Sequence, residues 1–242
     1  MKKNSLSIVI PAKNESETIE KVLIELRKTF KKLSRQYKSE VIVVCDSADD
    51  PTLNLLKKYD VKIIINNNGN GKGNALISGF KKTTGNIIIT MDGDYSHQAG
   101  DIPHLINELD RGNSLVIGSR IIGGTDENEF IRMLGNVFLT LLFGILFGKF
   151  FSDTLNGFKA FKKELINKQP FQSKGFEIEI EIIARALMKG INVSEVASHE
   201  RARSGGKPKS KVFIHGPILL WSVIYWGLKY RFSKEHAIKQ KN

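Results

Sequence analysis

Cysteine is nearly absent from the chain, since Cys45 is the single one among 242 residues. One thiol cannot form an internal disulfide, which fits a reducing compartment. Cys45 itself is most simply interpreted as a buried strand residue. Histidines are also few, and His97 and His104 have no partner at the spacing of a zinc site. We interpret both histidines as ordinary polar or local contacts.

Acidic residues are in deficit, with 25 Asp and Glu against 37 Lys and Arg and a formal net charge of +12. This balance favours an acidic partner, namely nucleic acid, anionic lipid or a phosphorylated substrate. Residues 199–242 carry 10 basic and 2 acidic side chains. Aromatic residues embedded among Ile, Leu and Val accompany this charge, as is typical of anchors at a membrane interface. We therefore expect an anionic membrane surface and no nucleic acid as partner. The aromatic residues are Trp221, Tyr225, Trp226 and Tyr230.

A secretory signal is not expected, because the apolar run at residues 6–10 is short and meets Pro11 and Lys13. Two later segments, 130–151 and 212–232, are much longer and apolar. One crossing by the first would separate flanking segments that belong on the same side of a membrane. We predict that both are interfacial helices lying in the lipid boundary. A buried core helix is the alternative for the first segment.

The composition, 41% hydrophobic and 26% charged, is that of a folded protein. We expect one main domain at residues 1–211 that includes the apolar helix at about 130–151. A membrane-associating helix and tail would follow at 212–242. The expected location is the cytoplasmic face of a membrane, either peripheral or interfacially embedded.

Strand-like and helix-like segments alternate along the first half of the chain. Strands are predicted at 6–10, 40–45, 61–65, 86–91 and 115–119, and helices at about 16–33, 51–59, 74–82, from 101 onward and at 175–189. This order predicts an α/β fold with a mostly parallel central sheet and helices on both faces. Polar or small residues follow each strand, and parallel strands bring such ends to one sheet edge. Those residues are Asn14 and Glu15, Asp46 and Asp50, Gly71 and Lys72, Asp92 and Asp94, and Ser119 and Arg120.

Asp92 and Asp94 stand at the end of the most apolar of these strands and are separated by Gly93. Residues two apart in an extended chain point the same way, so both carboxylates can face one site. A hard divalent cation would remove their mutual repulsion, and Mg²⁺ commonly takes one or two carboxylates together with substrate phosphate oxygens. Two solvated aspartates in a turn are the alternative.

Glycines at positions 69, 71 and 73 precede a predicted helix. The stretch is not a dinucleotide fingerprint, because Asn74 stands where the last glycine belongs, and it lacks the Gly-Lys-Ser/Thr of a P-loop. Backbone N–H groups at a helix start can still bind phosphate, with Lys72 as a point charge. A flexible connection is the alternative.

Taken in order, the motifs of this chain resemble those of the inverting family 2 glycosyltransferases, which have the GT-A fold. The later motifs resemble dolichyl-phosphate mannose synthases and related polyprenyl-phosphate glycosyltransferases, and the likeness spans roughly residues 5–211. The motifs are Ser-Ile-Val-Ile-Pro-Ala-Lys-Asn-Glu (7–15), the Asp46 and Asp50 cluster, Gly-Lys-Gly-Asn-Ala-Leu (71–76), Met-Asp-Gly-Asp (91–94), Gly-Ser-Arg (118–120), Asp-Thr-Leu-Asn-Gly-Phe-Lys-Ala-Phe (153–161), Phe-Glu-Ile-Glu-Ile-Glu (176–181) and Arg-Ala-Arg-Ser-Gly-Gly-Lys-Pro-Lys-Ser-Lys (201–211).

The resemblance implies a metal-dependent transfer of a hexose from a donor of the GDP-mannose or UDP-glucose type to a polyprenyl or dolichyl phosphate. Asp92 and Asp94 would bind Mg²⁺ or Mn²⁺, and Arg120 and Arg132 would hold the acceptor phosphate. Arg203 and Lys209 would lie on a loop that closes over the donor phosphates. The residues implied for the nucleoside are Pro11, Ala12, Asn14, Glu15, Asp46 and Asp50.

Three positions and the closing loop depart from the family pattern and bear on the identity of the nucleotide and sugar. An aspartate is usual at Cys45, a glutamine at Ser96 and a serine at Asn136, and the closing loop has an extra glycine and proline, Gly206 and Pro208.

The chemistry implied is an in-line attack by an acceptor oxygen that is already anionic, so no general base is required. Positioning and electrostatics would carry the catalysis, with Arg120 and Arg132 gripping the phosphate in bidentate fashion. A hydroxyl acceptor is the alternative, and would need a base among Glu177, Glu179 and Glu181. We expect at least two of these glutamates to lie on a solvated helix face. A non-catalytic sugar-nucleotide binding protein is the remaining alternative.

Overall fold

A computed structural model describes residues 4–127, 129–166, 170–204 and 212–239, the last without the side chains of 234–239. Its centre is one seven-stranded sheet in the order β3-β2-β1-β4-β6-β5-β7. All neighbouring strands are parallel except β6, which runs antiparallel to β4 and to β5. The strands are β1 (Asn4–Ala12), β2 (Tyr37–Cys45), β3 (Lys62–Ile65), β4 (Ile87–Thr90), β5 (Leu115–Ser119), β6 (Lys159–Lys162) and β7 (Val193–Ala197).

Both faces of the sheet are covered, as the unbroken apolar runs predict. Because side chains alternate along a strand, Ile8 and Ile10 of β1 enter one core cluster and Val9 enters the other. Strand β2 divides in the same way, with Val43 in the first cluster and Val44 in the second. The predicted α/β fold with a mostly parallel sheet is therefore confirmed.

The helices divide between the two cores. Helices α1, α2 and α4 pack on the first cluster, and α3, α6, α7 and α8 pack on the second. A short helix, α5, follows β5. The helices are α1 (Ile19–Leu33), α2 (Thr52–Leu56), α3 (Lys72–Phe80), α4 (Ile102–Asp110), α5 (Arg120–Gly123), α6 (Phe130–Phe147), α7 (Ile178–Met188) and α8 (Val212–Lys239), with 3₁₀ turns at Ala99–Asp101 and Lys163–Leu165.

Helices α6 and α8 pack against each other and expose large apolar side chains on their other faces. Phe143 and Phe147 of α6 and Trp226 of α8 enter the second core, whereas Phe138 and Trp221 are 57% and 67% exposed. Both helices are long and apolar enough to cross a membrane by length and composition. Because only one face of each helix is buried, neither is a fully enclosed core helix.

Arg231 joins the two helices by donating hydrogen bonds to the carbonyls of Ile145 and Leu146 at 2.7 and 2.8 Å. These carbonyls belong to the last turn of α6 and have no partner within that helix. The segment after residue 211 therefore packs on the core, through Arg231 and the buried face of α8. The predicted domain boundary at 211 stays a prediction, since residues 205–211 lie outside the described part of the chain.

Strands β6 and β7 were not predicted. Strand β6 has only four residues, two of them lysines, and lacks the apolar run that marks the other strands. It is inserted between β4 and β5. Its fully buried Lys159 lies on the face of the sheet that packs on the second core cluster. The local sequence of β6 has little strand character, so its pairing with β4 and β5 determines that it is a strand.

Candidate active site

Two cavities open at the sheet edge where β1, β2 and β4 end. The larger has a volume of about 680 Å³ and lies over the end of β1. Its wall holds four of the residues predicted for a nucleoside, Pro11, Ala12, Glu15 and Asp46, together with Lys13 and Asn70. Lys13 forms an ion pair with Asp46 at 2.5 Å. Asp46 thus faces this cavity with its charge already partnered.

Asn14 and Asp50 do not line either cavity. The carboxylate of Asp50, which is buried, accepts hydrogen bonds from the backbone N–H groups of Asn14 and Thr52 at 3.0 and 2.9 Å. Asn14 adopts a positive φ of 54°. Asp50 therefore shapes the turn that carries Glu15 to the wall, and its predicted contact with a nucleoside stays a prediction.

The smaller cavity, of about 190 Å³, lies beside the first and is bounded by α5, α6 and the segment after α6. Arg120 and Asp153 line it, as do Met133, Asn136 and Val137 of α6. The two cavities share one wall, so an occupant of either would meet the same side chains. The shared residues are Lys72, Asp92, Asp94, Arg132, Phe176 and Arg203.

Asp92 lies two residues beyond β4 and is held by an ion pair and a backbone hydrogen bond. Lys72 contacts its Oδ1 at 2.6 Å, and its N–H donates to Nδ1 of His97 at 3.1 Å. Burial by itself would raise the pKa of Asp92, but the charge and hydrogen bond of Lys72, together with other nearby charges that include Arg203, outweigh burial and hold that pKa well below its ordinary value. Asp92 is therefore an anion at any physiological pH.

Asp94 is positioned by the turn that follows it. Ser96 donates to its Oδ1 through both its backbone N–H and its hydroxyl, at 3.1 and 2.6 Å. Arg203 contacts the other oxygen, Oδ2, at 2.6 Å. Tyr95, the residue between Asp94 and Ser96, has a positive φ of 66°. The two aspartates thus face one place, and each is neutralised by one cation of the chain.

The two carboxylates at this place suit a hard divalent cation whose remaining ligands come from outside the protein. Two carboxylates are too few to enclose a metal ion, and the described residues contain no group of three or more acidic, histidine or cysteine side chains around one point. Mg²⁺ and Mn²⁺ sites on substrate phosphates commonly use one or two carboxylates in this way. Seven carboxylates and four cationic side chains line the smaller cavity, so that negative phosphate oxygens need added positive charge there.

Arg120 is not arranged as the resemblance implies. Its Nε and Nη2 bind the two oxygens of Asp153 at 2.6 and 2.9 Å, and Nη1 lies 3.3 Å from Glu200. The bidentate edge of the guanidinium is therefore taken by a carboxylate of the protein. Burial would raise the pKa of Asp153, but its hydrogen bonds from Arg120 lower that pKa below the ordinary value.

Arg132 lies on the first turn of α6 and contacts Glu129 at 2.9 Å. It lines both cavities and shares their common wall with Asp92 and Asp94, and its predicted contact with an acceptor phosphate stays a prediction. Arg203 joins the same group, whereas Lys209 lies outside the described residues.

A family comparison gives this geometry its context. Residues 7–173 match the model of Glycosyl transferase family 2. The chain belongs to that family. The match covers β1 to β6 and contains both aspartates, Lys72, Arg120 and Arg132. The predicted resemblance is thus confirmed.

Relatives of this family 2 chain include two archaeal proteins. A dolichol-phosphate mannosyltransferase of Pyrococcus furiosus is 29% identical over 91% of this chain, which spans 64% of that protein's length. A dolichyl-phosphate hexose transferase of Haloferax volcanii is 25% identical over 94% of this chain and 96% of its own length. Among solved structures, glucosyl-3-phosphoglycerate synthase from Mycobacterium tuberculosis, in complex with Mn²⁺, uridine diphosphate and phosphoglyceric acid, superposes with a TM-score of 0.72. It is 21% identical, over 93% of this chain and 78% of that one. This similarity confirms the predicted GT-A fold.

The expectation that at least two of the glutamates 177, 179 and 181 are solvated was wrong. Glu179 and Glu181 are 2% and 0% exposed. Glu181 binds Arg185 and accepts N–H groups of Gln172 and Ser173. Alternating charge predicted a surface, but these side chains point to buried cations and to backbone donors of the preceding loop.

Two contributors to the family 2 site were missed. Phe176 lies in the shared wall, and His215 of α8 lines the larger cavity and stacks edge-on against Phe176 with ring centroids 5.0 Å apart. His97, interpreted as a local contact, is buried and bonds to both Asp92 and Asn156. A histidine five residues after an aspartate is a common spacing, so the sequence carried no usable signal for this role.

Proposed function

We propose that this family 2 protein transfers a hexose from a nucleotide sugar to a polyprenyl or dolichyl phosphate, with inversion at the anomeric carbon. The donor is of the GDP-mannose or UDP-glucose type, and the reaction takes place at the cytoplasmic face of a membrane. The archaeal relatives, whose names include dolichol-phosphate mannosyltransferase, support this acceptor class.

One observation carries the proposal: the two cavities meet at Asp92 and Asp94. The larger cavity has the volume of a small-molecule site, and its wall includes the residues expected to hold a nucleoside. The smaller cavity continues past the aspartates toward α6. A sugar attached to a diphosphate at the shared wall would face an acceptor in the smaller cavity, which is the arrangement that in-line transfer needs.

Asp92 and Asp94 would hold Mg²⁺ or Mn²⁺ together with donor diphosphate oxygens. When bound, such a cation supplies a Lewis acid that stabilises the leaving nucleoside diphosphate. For this to occur Arg203 must leave Oδ2 of Asp94, which it contacts at 2.6 Å. Released in this way, Arg203 would turn toward the diphosphate, and Lys72 would stay beside Asp92.

The state of the carboxylates favours a phosphate acceptor over a hydroxyl acceptor. A hydroxyl must lose its proton to a base, whereas a phosphate monoester is anionic at neutral pH. Each carboxylate that lines the smaller cavity is paired with a cation or accepts a backbone N–H. Glu179 lies between two lysines at 2.6 and 3.1 Å, so both of its oxygens are already engaged by cations of the chain.

The exposed face of α6 and α8 supports a membrane surface as the location. Phe130, Leu134, Phe138 and Leu141 of α6 are all more than half exposed. Contiguous apolar surface of this kind marks an interaction site, and the aromatic and basic residues of α8 are typical of a helix at the lipid boundary. The α6 residues that line the smaller cavity, Met133, Asn136, Val137 and Thr140, would then guide a lipid phosphate from the membrane toward the shared wall.

The test of the reaction is a transfer assay. Purified protein is given dolichyl or polyprenyl phosphate in detergent with labelled GDP-mannose or UDP-glucose, with Mn²⁺ or with EDTA, and the lipid fraction is extracted. We expect labelled lipid with one of the donors, loss of the label with EDTA, and an inverted anomer. Asp92→Ala with Asp94→Ala should abolish transfer, whereas Asp49→Ala, at an exposed position nearby, should not.

A retained anomer, or full activity of the double variant, would contradict the mechanism. Transfer to hydroxyl acceptors with none to lipid phosphate would favour the alternative acceptor class. Binding of donor without turnover on any acceptor would favour a sugar-nucleotide binding protein.

Membrane association has its own test, co-sedimentation with vesicles that contain anionic lipid. Leu134→Glu with Phe138→Glu places two charges on the exposed face of α6 and should release the protein from vesicles. Ile24→Glu is the matched control, because Ile24 is an exposed apolar residue of α1 with 45% exposure. Equal release by both variants would contradict the assignment of α6 to the lipid boundary.

A further inference from the structure

A buried ion pair, Lys159 with Glu179, lies under the shared wall and has no part in the mechanism so far. Lys159 of β6 is fully buried, and its ammonium contacts Oε2 of Glu179 at 2.6 Å and the carbonyl of Asn156. The other oxygen of Glu179 lies 3.1 Å from the ammonium of Lys72. A chain of alternating charge thus runs from the interior to the site: Lys159, Glu179, Lys72 and Asp92.

The start of α3, where Lys72 lies, is docked on the segment that leads into α7. Asn74 donates its backbone N–H to the carbonyl of Lys174 at 3.0 Å. A Cβ at Gly71 or at Gly73 would lie 2.3 Å from a backbone oxygen of that segment, and Gly71 also has a φ of 122°. Side chains are therefore excluded on both sides of Lys72, so that α3 can approach the segment bearing Glu179.

Gly157 leaves the space that the ammonium of Lys72 occupies. A Cβ at this position would lie 2.4 Å from Nζ of Lys72 and 3.0 Å from Oδ2 of Asp92. Three separate features, the glycines around Lys72, the gap at Gly157 and the carboxylate of Glu179, thus act on the same ammonium. Lys72 is only 11% exposed, although its side chain is long and flexible.

We propose that Glu179, neutralised from behind by Lys159, is a positioning residue that holds the ammonium of Lys72 at the shared wall for the donor diphosphate. The inference rests on the proposed function and names two residues, Glu179 and Lys159, that act through Lys72. Holding a lysine with a neutral ion pair keeps its charge available without adding net charge to the wall. An aspartate or glutamate without Lys159 would instead repel the incoming phosphates.

The variants must separate position from charge and from fold. Glu179→Gln alone would leave Lys159 charged and unpaired in the core, which is strongly destabilising. Glu179→Gln combined with Lys159→Gln removes both buried charges, keeps the net charge constant and keeps polar atoms at both positions. Because this paired variant leaves no charge unpaired in the core, we expect it to fold. Lys72 then loses its contact with Glu179 and keeps only its contact with Asp92.

The first measurement needs no donor. The acylation rate of Lys72 is followed by peptide mass spectrometry in the native protein, with the exposed Lys58 as internal reference. We expect the rate at Lys72 to rise at least about fivefold in the paired variant while the rate at Lys58 stays constant. An unchanged rate at Lys72 overturns the inference.

The second measurement is calorimetric binding of UDP and of GDP in the presence of Mn²⁺. Lys72→Met should weaken binding about 10- to 100-fold, as expected for a charged hydrogen bond. The paired variant should weaken it about 5- to 50-fold, and should have no further effect in the Lys72→Met background. An equal effect in both backgrounds shows a merely structural role and overturns the inference. No binding of either nucleotide by the parent protein defeats the proposed function and the inference with it, whereas binding with unaltered labelling defeats the inference alone.

Discussion

Replacing Asp153 by Asn tests whether Arg120 is held by the protein or kept for an acceptor. Asp153 is 3% exposed and receives two side-chain hydrogen bonds and one backbone hydrogen bond from Arg120. The asparagine amide would keep one acceptor oxygen and would present an NH₂ group in place of the other, toward a guanidinium that offers only N–H groups. One partner of a largely buried pair is thus lost while the other charge remains.

Breaking a buried pair in this way costs about 3–5 kcal/mol of the free energy of unfolding. Arg120 is 16% exposed and keeps its contact with Glu200, so the lower end, about 3 kcal/mol, applies. For a domain of this size that corresponds to a fall in Tm of roughly 6–12 °C. Glu200→Gln is the matched control: it removes the charge behind the longer contact to Arg120 at 3.3 Å, affects one further hydrogen bond, from Thr125, and should cost less than about 1 kcal/mol.

The assay is urea denaturation of both variants followed by circular dichroism, at several pH values. Because Arg120 lowers the pKa of Asp153, this contribution to stability is present above about pH 4 and is lost as the pH falls further. The Asp153→Asn variant should therefore lose less stability on acidification than the parent. A midpoint within experimental error of the parent, or an equal loss in Glu200→Gln, would refute the reasoning and would return the bidentate edge of Arg120 to the acceptor.

Three further predictions concern packing and titration. Gly79→Ala should lower the free energy of unfolding by about 1–2 kcal/mol in urea denaturation, because the new Cβ would lie 2.4 Å from a methyl of Val9; Gly100→Ala, with nothing within 4 Å, should change it by less than about 0.5 kcal/mol. Equal effects of the two would argue against close packing of α3 on the sheet. Burial, and secondarily the charge of Asp50, raises the pKa of the Cys45 thiol to about 12, so iodoacetamide at pH 8 should label it only in urea; rapid labelling of native protein would contradict this. The hydrogen bond from His199 to Asp126 raises the pKa of the imidazole, and an NMR titration should find that pKa lower in Asp126→Asn; no change would mean that the pair does not form in solution.

The sheet edge was predictable because its signals are local. Unbroken apolar runs end in polar residues, and parallel strands bring those ends together whatever the details of packing. Asp92 and Asp94 therefore appeared at the site from sequence alone, as did Lys72 at the start of a helix. Helix α6 buries one apolar face and exposes another, which agrees with a sequence pattern that is apolar on most faces of the helix.

The partners of the charged residues were not predictable in the same way. Arg120 and Asp153 are 33 positions apart, and Glu179 lies 20 positions from Lys159. Spacing along the chain contains no information about such pairs, because β6 (159–162) is inserted between two strands that precede it in sequence and brings the segment before it along with it. For this reason Glu179 was expected on a solvated face and Arg120 was expected to grip phosphate.

What the sequence by itself determined is the α/β layer order, the sheet edge where the two cavities open and the family to which the chain belongs. These follow from hydrophobic periodicity and from short motifs, each of which acts over a few residues. Only the tertiary structure decided which charges are neutralised and by whom, since ion pairs in the interior depend on distances set by the whole sheet. That pairing, in turn, decides which side chains remain to meet a substrate.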